Sequence, residues 1–178
     1  MNIYFSGIGG VGVGPLAMLA QDAGHNVFGS DREKSQTYND LSGRGIELST
    51  DQSGAFIREI HENNELDLLI YSSAIPDDHP ELLIAHEYGI TIAKRDDLLN
   101  QLIKYKNLKL LAVSGTHGKT STTGMFIWVM KELGLPISYS VGTRLSFGPA
   151  AKYDKDSEYF VYEADEFDRN MIKFKPFV

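Results

Sequence analysis

Leu110-Leu-Ala-Val-Ser-Gly-Thr-His-Gly-Lys-Thr-Ser-Thr-Thr123 carries three kinds of segment in quick succession. The apolar run Leu108–Val113 has the length and composition of a buried strand. Gly115 and Gly118 break it, and from Lys119 to Leu133 apolar residues return at helical spacing. Strand, glycine turn, lysine–hydroxyl pair and helix together make the frame of a phosphate-binding loop. Each residue type has a reason. Glycine lets backbone N–H groups approach an anion closely, and a helix N-terminus adds partial positive charge. The Lys119 ammonium can reach β- and γ-phosphates, and the Thr120 hydroxyl can ligate Mg²⁺. The general pattern places four residues between its glycines, whereas here only Thr116 and His117 separate them. A plain glycine turn beside a surface lysine is the alternative; the agreement of strand, turn and helix favours the phosphate loop.

Downstream, the helix closes at Leu133-Gly134 with Pro136 beyond, and Ile137–Val141 reads as a strand running into Gly142-Thr-Arg144. Asp154–Ser157 reads as a loop. Glu158–Tyr162 is a further strand that delivers Glu163-Ala-Asp-Glu-Phe-Asp168. Carboxylates crowded at a strand end repel one another unless a cation shares the site. Beside a phosphate loop that cation is Mg²⁺, which takes one or two carboxylates together with phosphates and water. Glu163, nearest the strand, reads as a metal ligand. Asp165, Glu166 and Asp168 read equally as ligands or as a solvated acidic turn.

Upstream, Asn2–Ser6 is a short strand running into Gly7-Ile-Gly-Gly-Val-Gly12, a G-x-G-x-x-G turn followed by a helix with Pro15 in its first turn and Gly24 as its cap. Such a turn binds a nucleotide or dinucleotide phosphate at the helix N-terminus, or serves only tight helix-on-strand packing. Asn26–Gly29 is the second strand, and Asp31 beyond it stands near the offset of an acid that hydrogen-bonds a ribose; a helix N-cap explains it equally well. Helix candidates Gln36–Gly43, Ala55–Asn63, Asp78–Tyr88 and Arg95–Tyr105 then alternate with strand candidates Gly45–Leu48, Asp67–Tyr71 and Ile90–Ala93. Five strands alternating with helices specify an α/β fold with a doubly wound parallel sheet. Ser72-Ser-Ala-Ile-Pro76 falls at the carboxyl end of a strand, the edge where open α/β sheets bind ligands. His61 reads as solvated, and His86 as a surface or packing residue. The polar connection Lys104–Asn107 marks a boundary between residues 1–106 and 107–178.

The remaining composition is that of a soluble globular protein: 42% hydrophobic and 23% charged residues in 178. A net charge of −7 argues against a nucleic-acid-binding surface. With no cysteine there is no disulfide framework and no thiol chemistry. No signal-peptide layout or membrane-length apolar run is present, so the chain reads as cytoplasmic. Nothing in it speaks to oligomeric state.

Gly7-Ile-Gly-Gly-Val-Gly12, Gly29-Ser-Asp31, Ser72-Ser-Ala-Ile75, Gly115-Thr-His-Gly-Lys-Thr120 and Glu163-Ala-Asp-Glu166 occur in this order, at similar separations, in the Mur ligases, which the chain resembles along its whole length. The short glycine spacing is that family's own form of phosphate loop. The resemblance implies a Rossmann-like first domain that holds the UDP part of a sugar nucleotide, followed by the first part of a P-loop ATPase domain. Lys175-Pro-Phe-Val178 looks like the start of an uncompleted strand, so a fragment inactive by itself is expected. The implied reaction joins L-alanine to UDP-N-acetylmuramate with ATP and Mg²⁺, through an acyl phosphate. Residue by residue, Gly7, Gly9, Gly10, Val11 and Gly12 would face the diphosphate and Asp31 the uridine end, with Ser73 and His86 as further substrate contacts. Gly115, Thr116, His117, Gly118, Lys119, Thr120 and Ser121 would bind ATP, Lys119 as the catalytic cation. Thr120 and Glu163 would hold the metal. Phe167 resembles instead a branch of the family that attaches a recycled tripeptide to the same sugar nucleotide. A non-catalytic nucleotide-binding module, or an NAD-dependent oxidoreductase that leaves Gly115–Thr120 idle, are the other readings.

Overall fold

Strand β1 (Asn2–Ser6) is buried from Ile3 onward, as a parallel strand covered on both faces must be. It is the middle of the sheet in a computed structural model that describes residues 1–72, 74–164 and 176–177. After it come α1 (Gly14–Asp22), β2 (Asn26–Ser30), α2 (Gln36–Gly43), β3 (Glu47–Ser49), α3 (Ala55–Asn64), β4 (Leu68–Tyr71), α4 (Pro80–Glu87), β5 (Thr91–Lys94) and α5 (Arg95–Tyr105). The five strands are all parallel, in the order β3-β2-β1-β4-β5. The chain winds outward from β1 in one direction and then in the other, so the crevice at the carboxyl end of β1 is the topological switch point. Register aligns Ser6 with both Ser30 and Tyr71, which gathers the turns after β1, β2 and β4 at that edge.

Alternation along β1 sends Tyr4 into a cluster with Phe28, Ile57, Ile60, Leu69, Leu82 and Ala85, so α3 and α4 cover one face. Ile3 and Phe5, both fully buried, point the other way. Helix α1 buries Gly14–Ala20 without a break and packs on β2 and α2. The punctuation works as its chemistry requires. Pro15 occupies the first turn of α1, and Gly24 follows its end at φ +91°. The Ser35 hydroxyl caps α2 by accepting from the Tyr38 amide at 3.2 Å. His61 departs from its solvated reading: it is half-buried, its ring lies 4.7 Å from that of Tyr88, and its Nδ1 accepts from the Leu66 amide, closing the end of α3.

The chain divides into two compact units, Met1–Leu98 and Leu99–Val178. In the second, β6 (Lys109–Val113), α6 (Lys119–Glu132), β7 (Ser138–Ser140), β8 (Ala151–Lys152) and β9 (Tyr159–Glu163) build a sheet in the order β6-β9-β7-β8. Strands β6, β9 and β7 are parallel, and the two-residue β8 is antiparallel. Ile127 of α6 packs with Ile137, Tyr139, Val141 and Val161. The other apolar residues of α6 do not all follow it inward: Met125, Trp128 and Val129 are exposed. Register pairs Val113 with Glu163, which brings the last residue of β9 beside the start of the glycine turn. No helix among the described residues is long and apolar enough to cross a membrane.

Candidate functional site

The Gly7–Gly12 turn sits at the switch point of the first sheet, held from three sides. The Gly7 and Ile8 amides both donate to the Ser30 carbonyl at 2.9 Å. The Gly9 amide donates to Asp31 Oδ2 at 2.9 Å, and the Ser35 hydroxyl donates to the Gly9 carbonyl at 2.9 Å. Gly7, at φ +74°, packs against the Ser72 side chain. Asp31 is therefore no helix cap: Ser35 caps α2, while Asp31 accepts from Gly9 and, through Oδ1, from the Glu33 amide at 3.1 Å. Its lone pairs leave room for a ribose hydroxyl as well.

Not every amide of the turn is open to an anion. Gly9 donates to Asp31 and Gly10 to the Gly7 carbonyl at 3.1 Å. The Val11 and Gly12 amides donate to no group among the described residues. The Val11 side chain is 77% exposed, so this tip is open to solvent. Ser73 lies outside the described residues. His86 is exposed in the last turn of α4, a helix that begins at the carboxyl edge of the sheet and runs back toward the start of β5. The structure therefore does not bring His86 to the glycine turn, because the direction of α4 carries it to the opposite edge.

Two residues at this edge escaped the sequence reading. Glu81, fully buried in the first turn of α4, accepts hydrogen bonds from Tyr4 Oη and Ser30 Oγ, each at 2.6 Å, and from Ser6 Oγ. Ser6 precedes Gly7 and Ser30 precedes Asp31, so one carboxylate ties together the strand ends that carry both. Burial and the neighbouring Glu81 carboxylate hold the Tyr4 hydroxyl far above the ordinary tyrosine range. The second is Arg95, at the start of α5, whose guanidinium lies against Gly12; a Cβ there would collide with Nη1. The signal for Arg95 was its place immediately after a strand, at the edge that had drawn attention to Ser72.

In the second unit the turn from β6 to α6 has Gly115 at φ +151° and Gly118 at φ +77°, backbone that favours glycine. The Thr116, His117 and Gly118 amides donate to no group among the described residues. Lys119 Nζ donates to the Gly115 carbonyl at 2.7 Å, which curls the side chain over the turn. The Thr120 hydroxyl donates to Glu163 Oε1 at 2.6 Å, and the Gly142 amide donates to Oε2 at 2.8 Å. Residues 43 positions apart in sequence thus meet at one sheet edge. Ser121 lies in the first turn of α6 and is exposed. Asp165, Glu166, Phe167 and Asp168 lie outside the described residues. A cavity of about 550 Å³ opens at the other end of α6, among Ile127, Pro136, Tyr139 and Phe147, and collects none of the residues singled out above.

The Mur ligase family catalytic-domain model matches residues 2–107. The chain is 34% identical over 177 residues to the UDP-N-acetylmuramate–L-alanine ligase of Clostridium novyi, and 37% identical over 178 residues to that of Clostridium beijerinckii. It aligns over 99% of its own length and spans 37% of each of theirs. Among solved structures, the UDP-N-acetylmuramate–alanine ligase of Thermotoga maritima superposes with a TM-score of 0.87 at 29% identity, covering 99% of this chain and 40% of that one. The murein peptide ligase of Psychrobacter arcticus gives 0.84 at 25% identity, covering 99% and 41%.

Proposed function

This chain belongs to the Mur ligase family, and from that premise we propose that it carries the sugar-nucleotide and ATP sites of an ATP-dependent ligase joining L-alanine to UDP-N-acetylmuramate. Residues 1–106 take the uridine diphosphate and residues 107–178 the triphosphate. The observation that carries the reading is the Thr120–Glu163 contact beside a glycine turn in which three amides donate to no group among the described residues, with the Lys119 ammonium folded over it. Two hard oxygens at 2.6 Å suit Mg²⁺, which takes few protein ligands and keeps phosphate and water for the rest.

In the reaction, the lactyl carboxylate of UDP-N-acetylmuramate attacks the γ-phosphorus of ATP and ADP leaves. The alanine amine then attacks the acyl phosphate carbon, loses a proton, and expels phosphate to leave an amide. Thr120 and Glu163 would hold Mg²⁺, which would supply charge neutralisation when bound. Lys119 would exchange its Gly115 carbonyl partner for phosphate oxygens, and the Thr116–Gly118 amides would fix their orientation. Gly142, donating to Oε2, holds the Glu163 carboxylate with its other oxygen toward Thr120. No protein nucleophile is required, because the substrate carboxylate is the nucleophile.

Calorimetric titration tests both halves. UDP-N-acetylmuramate is expected to bind and NAD is not; ATP is expected to bind more tightly with Mg²⁺ than with EDTA. Glu163→Gln should remove about tenfold or more of the Mg²⁺-dependent gain while leaving EDTA-condition binding in place. Binding of NAD with no response to the uridine sugar would sink the ligase reading in favour of an oxidoreductase.

A further inference from the structure

We propose that the outward face of α6 is a self-association surface, and that two copies of this chain pair through it about a two-fold axis. The inference does not depend on the ligase reading. Helix α6 is buried along one narrow stripe, Thr123, Gly124 and Ile127. At about 100° per residue the opposite side is centred on Met125 and Val129, with Trp128 on one flank and Phe126 and Leu133 on the other. These five side chains are 40–70% exposed. Side chains of their size, open to that degree, present on the order of 500 Å² of apolar surface, as much as the largest patch on a typical soluble monomer.

Other helices of the chain meet water differently. Helix α3 turns Glu59 and Glu62 outward, and α5 turns Asp97 and Lys104 outward. Between Lys119 and Lys131, α6 carries no charged residue. The Lys131 ammonium is drawn off the face to the Phe147 carbonyl, to which it donates at 3.0 Å, so Glu132 in the last turn is the charge left on that side. The net charge of −7 therefore has little local hold on the face, and salt screens the rest beyond about 8 Å. A copy of the same face is the occupant that matches it. Pairing the two removes on the order of 1,000 Å² from water, the size at which a specific interface becomes stable. A two-fold axis near Val129 sets Met125 of one copy toward Leu133 of the other, apolar against apolar. The remaining large exposed apolar side chains, among them Val11, Leu83 and Tyr105, are scattered over other elements and offer no matching surface.

Trp128 is the only tryptophan in the chain and lies in the proposed interface, so its emission reports the pairing directly. The test is light-scattering mass and tryptophan emission, across about 1–200 μM, for the wild-type chain, Met125→Lys and Leu133→Lys. The wild type is expected to pass from 19.8 kDa to twice that mass, with emission moving to shorter wavelength over the same range. Each lysine variant is expected to raise the midpoint about tenfold or more, and to melt like the wild type at dilutions where both are monomeric. A wild-type mass that stays at 19.8 kDa throughout overturns the proposal. So does short-wavelength emission from the monomer, which would show the face covered within one molecule. A dimer whose midpoint ignores both substitutions pairs through another surface and overturns it too, as does a mass that climbs past the dimer without a plateau. Should a variant fail to fold, the paired mass and emission of the wild type still decide between these outcomes.

Discussion

Replacing Glu81 by alanine should be the most damaging single change at the edge of the first sheet. The carboxylate is fully buried and accepts from Tyr4, Ser6 and Ser30, and no arginine or lysine is paired with it among the described residues. Removing it leaves three buried hydroxyls without that acceptor. Ser30 is partly compensated, since Gln52 Nε2 donates to it at 3.1 Å. Tyr4 keeps the neighbouring Ser30 hydroxyl, whereas Ser6 has no other side-chain partner among the described residues, and a buried polar group left unpaired costs about 1–3 kcal/mol. One such group, a weakened Tyr4 pairing and the space vacated by the longer side chain come to about 3–4 kcal/mol. For a unit of this size that lowers the melting temperature by roughly 15 °C or more. Glu81→Gln keeps one acceptor oxygen and the volume, and the hydroxyls can rotate to accept from its NH₂, so about 1–2 kcal/mol is expected. The glutamine variant should also bind UDP more weakly at temperatures where it is fully folded, because Ser6 and Ser30 set the positions of Gly7 and Asp31. Circular dichroism melts with titration at 20 °C below the transition measure both. A melting temperature for Glu81→Ala within 2 °C of wild type would refute the account, as would a double-mutant cycle with Tyr4→Phe that shows no coupling.

Other changes follow from single contacts. Gly29→Ala would set a Cβ 2.5 Å from the Phe5 carbonyl and 2.7 Å from Ile8 Cδ1, where one neighbour is backbone of the next strand and cannot yield; a loss of about 1–3 kcal/mol is expected in denaturant unfolding. Tyr4, whose hydroxyl is held well above its ordinary pKa of 10 by burial, keeps its proton in the fold after the unfolded chain has lost it. That stabilising contribution is complete below pH 10 and is lost as pH rises further, by up to about 1.4 kcal/mol per unit, so melting above pH 10 should fall more steeply in wild type than in Tyr4→Phe. Thr123 Oγ1 is the buried side-chain oxygen that lacks a partner among the described residues, and Thr123→Val should be neutral or stabilise by about 1 kcal/mol or less; a loss above that in a thermal melt would reveal a partner for the hydroxyl.

What the sequence made legible was whatever is local. The G-x-G-x-x-G turn, the lysine–hydroxyl pair and the strand–helix alternation are each set by neighbours a few residues apart, and each appears where its spacing places it. Even the meeting of Thr120 with Glu163 was accessible, because Thr120 opens the helix that follows β6, Glu163 ends β9, and parallel strands align their carboxyl ends. Antiparallel β8 was missed because two residues carry no period to read. The outward-facing Met125 and Trp128 resisted for a related reason: α6 is apolar on several sides, so its pattern does not say which face the sheet takes. His86 shows a different limit. Its helix was read correctly as a helix, yet a site also depends on which end of the helix meets the carboxyl edge, and the last turn is the wrong end. Glu81 and Arg95 are the deepest omissions. Their partners lie 51–77 residues away for Glu81, and Arg95 reaches back across β4 to Gly12. No spacing rule links a glutamate in a helix's first turn to three hydroxyls on two strands. The link exists because parallel register puts Ser6 beside Ser30 and because α4 starts at the same edge. A buried carboxylate there costs desolvation that an apolar residue would not, so its retention is explained by the geometry it enforces on Gly7 and Asp31 rather than by stability alone.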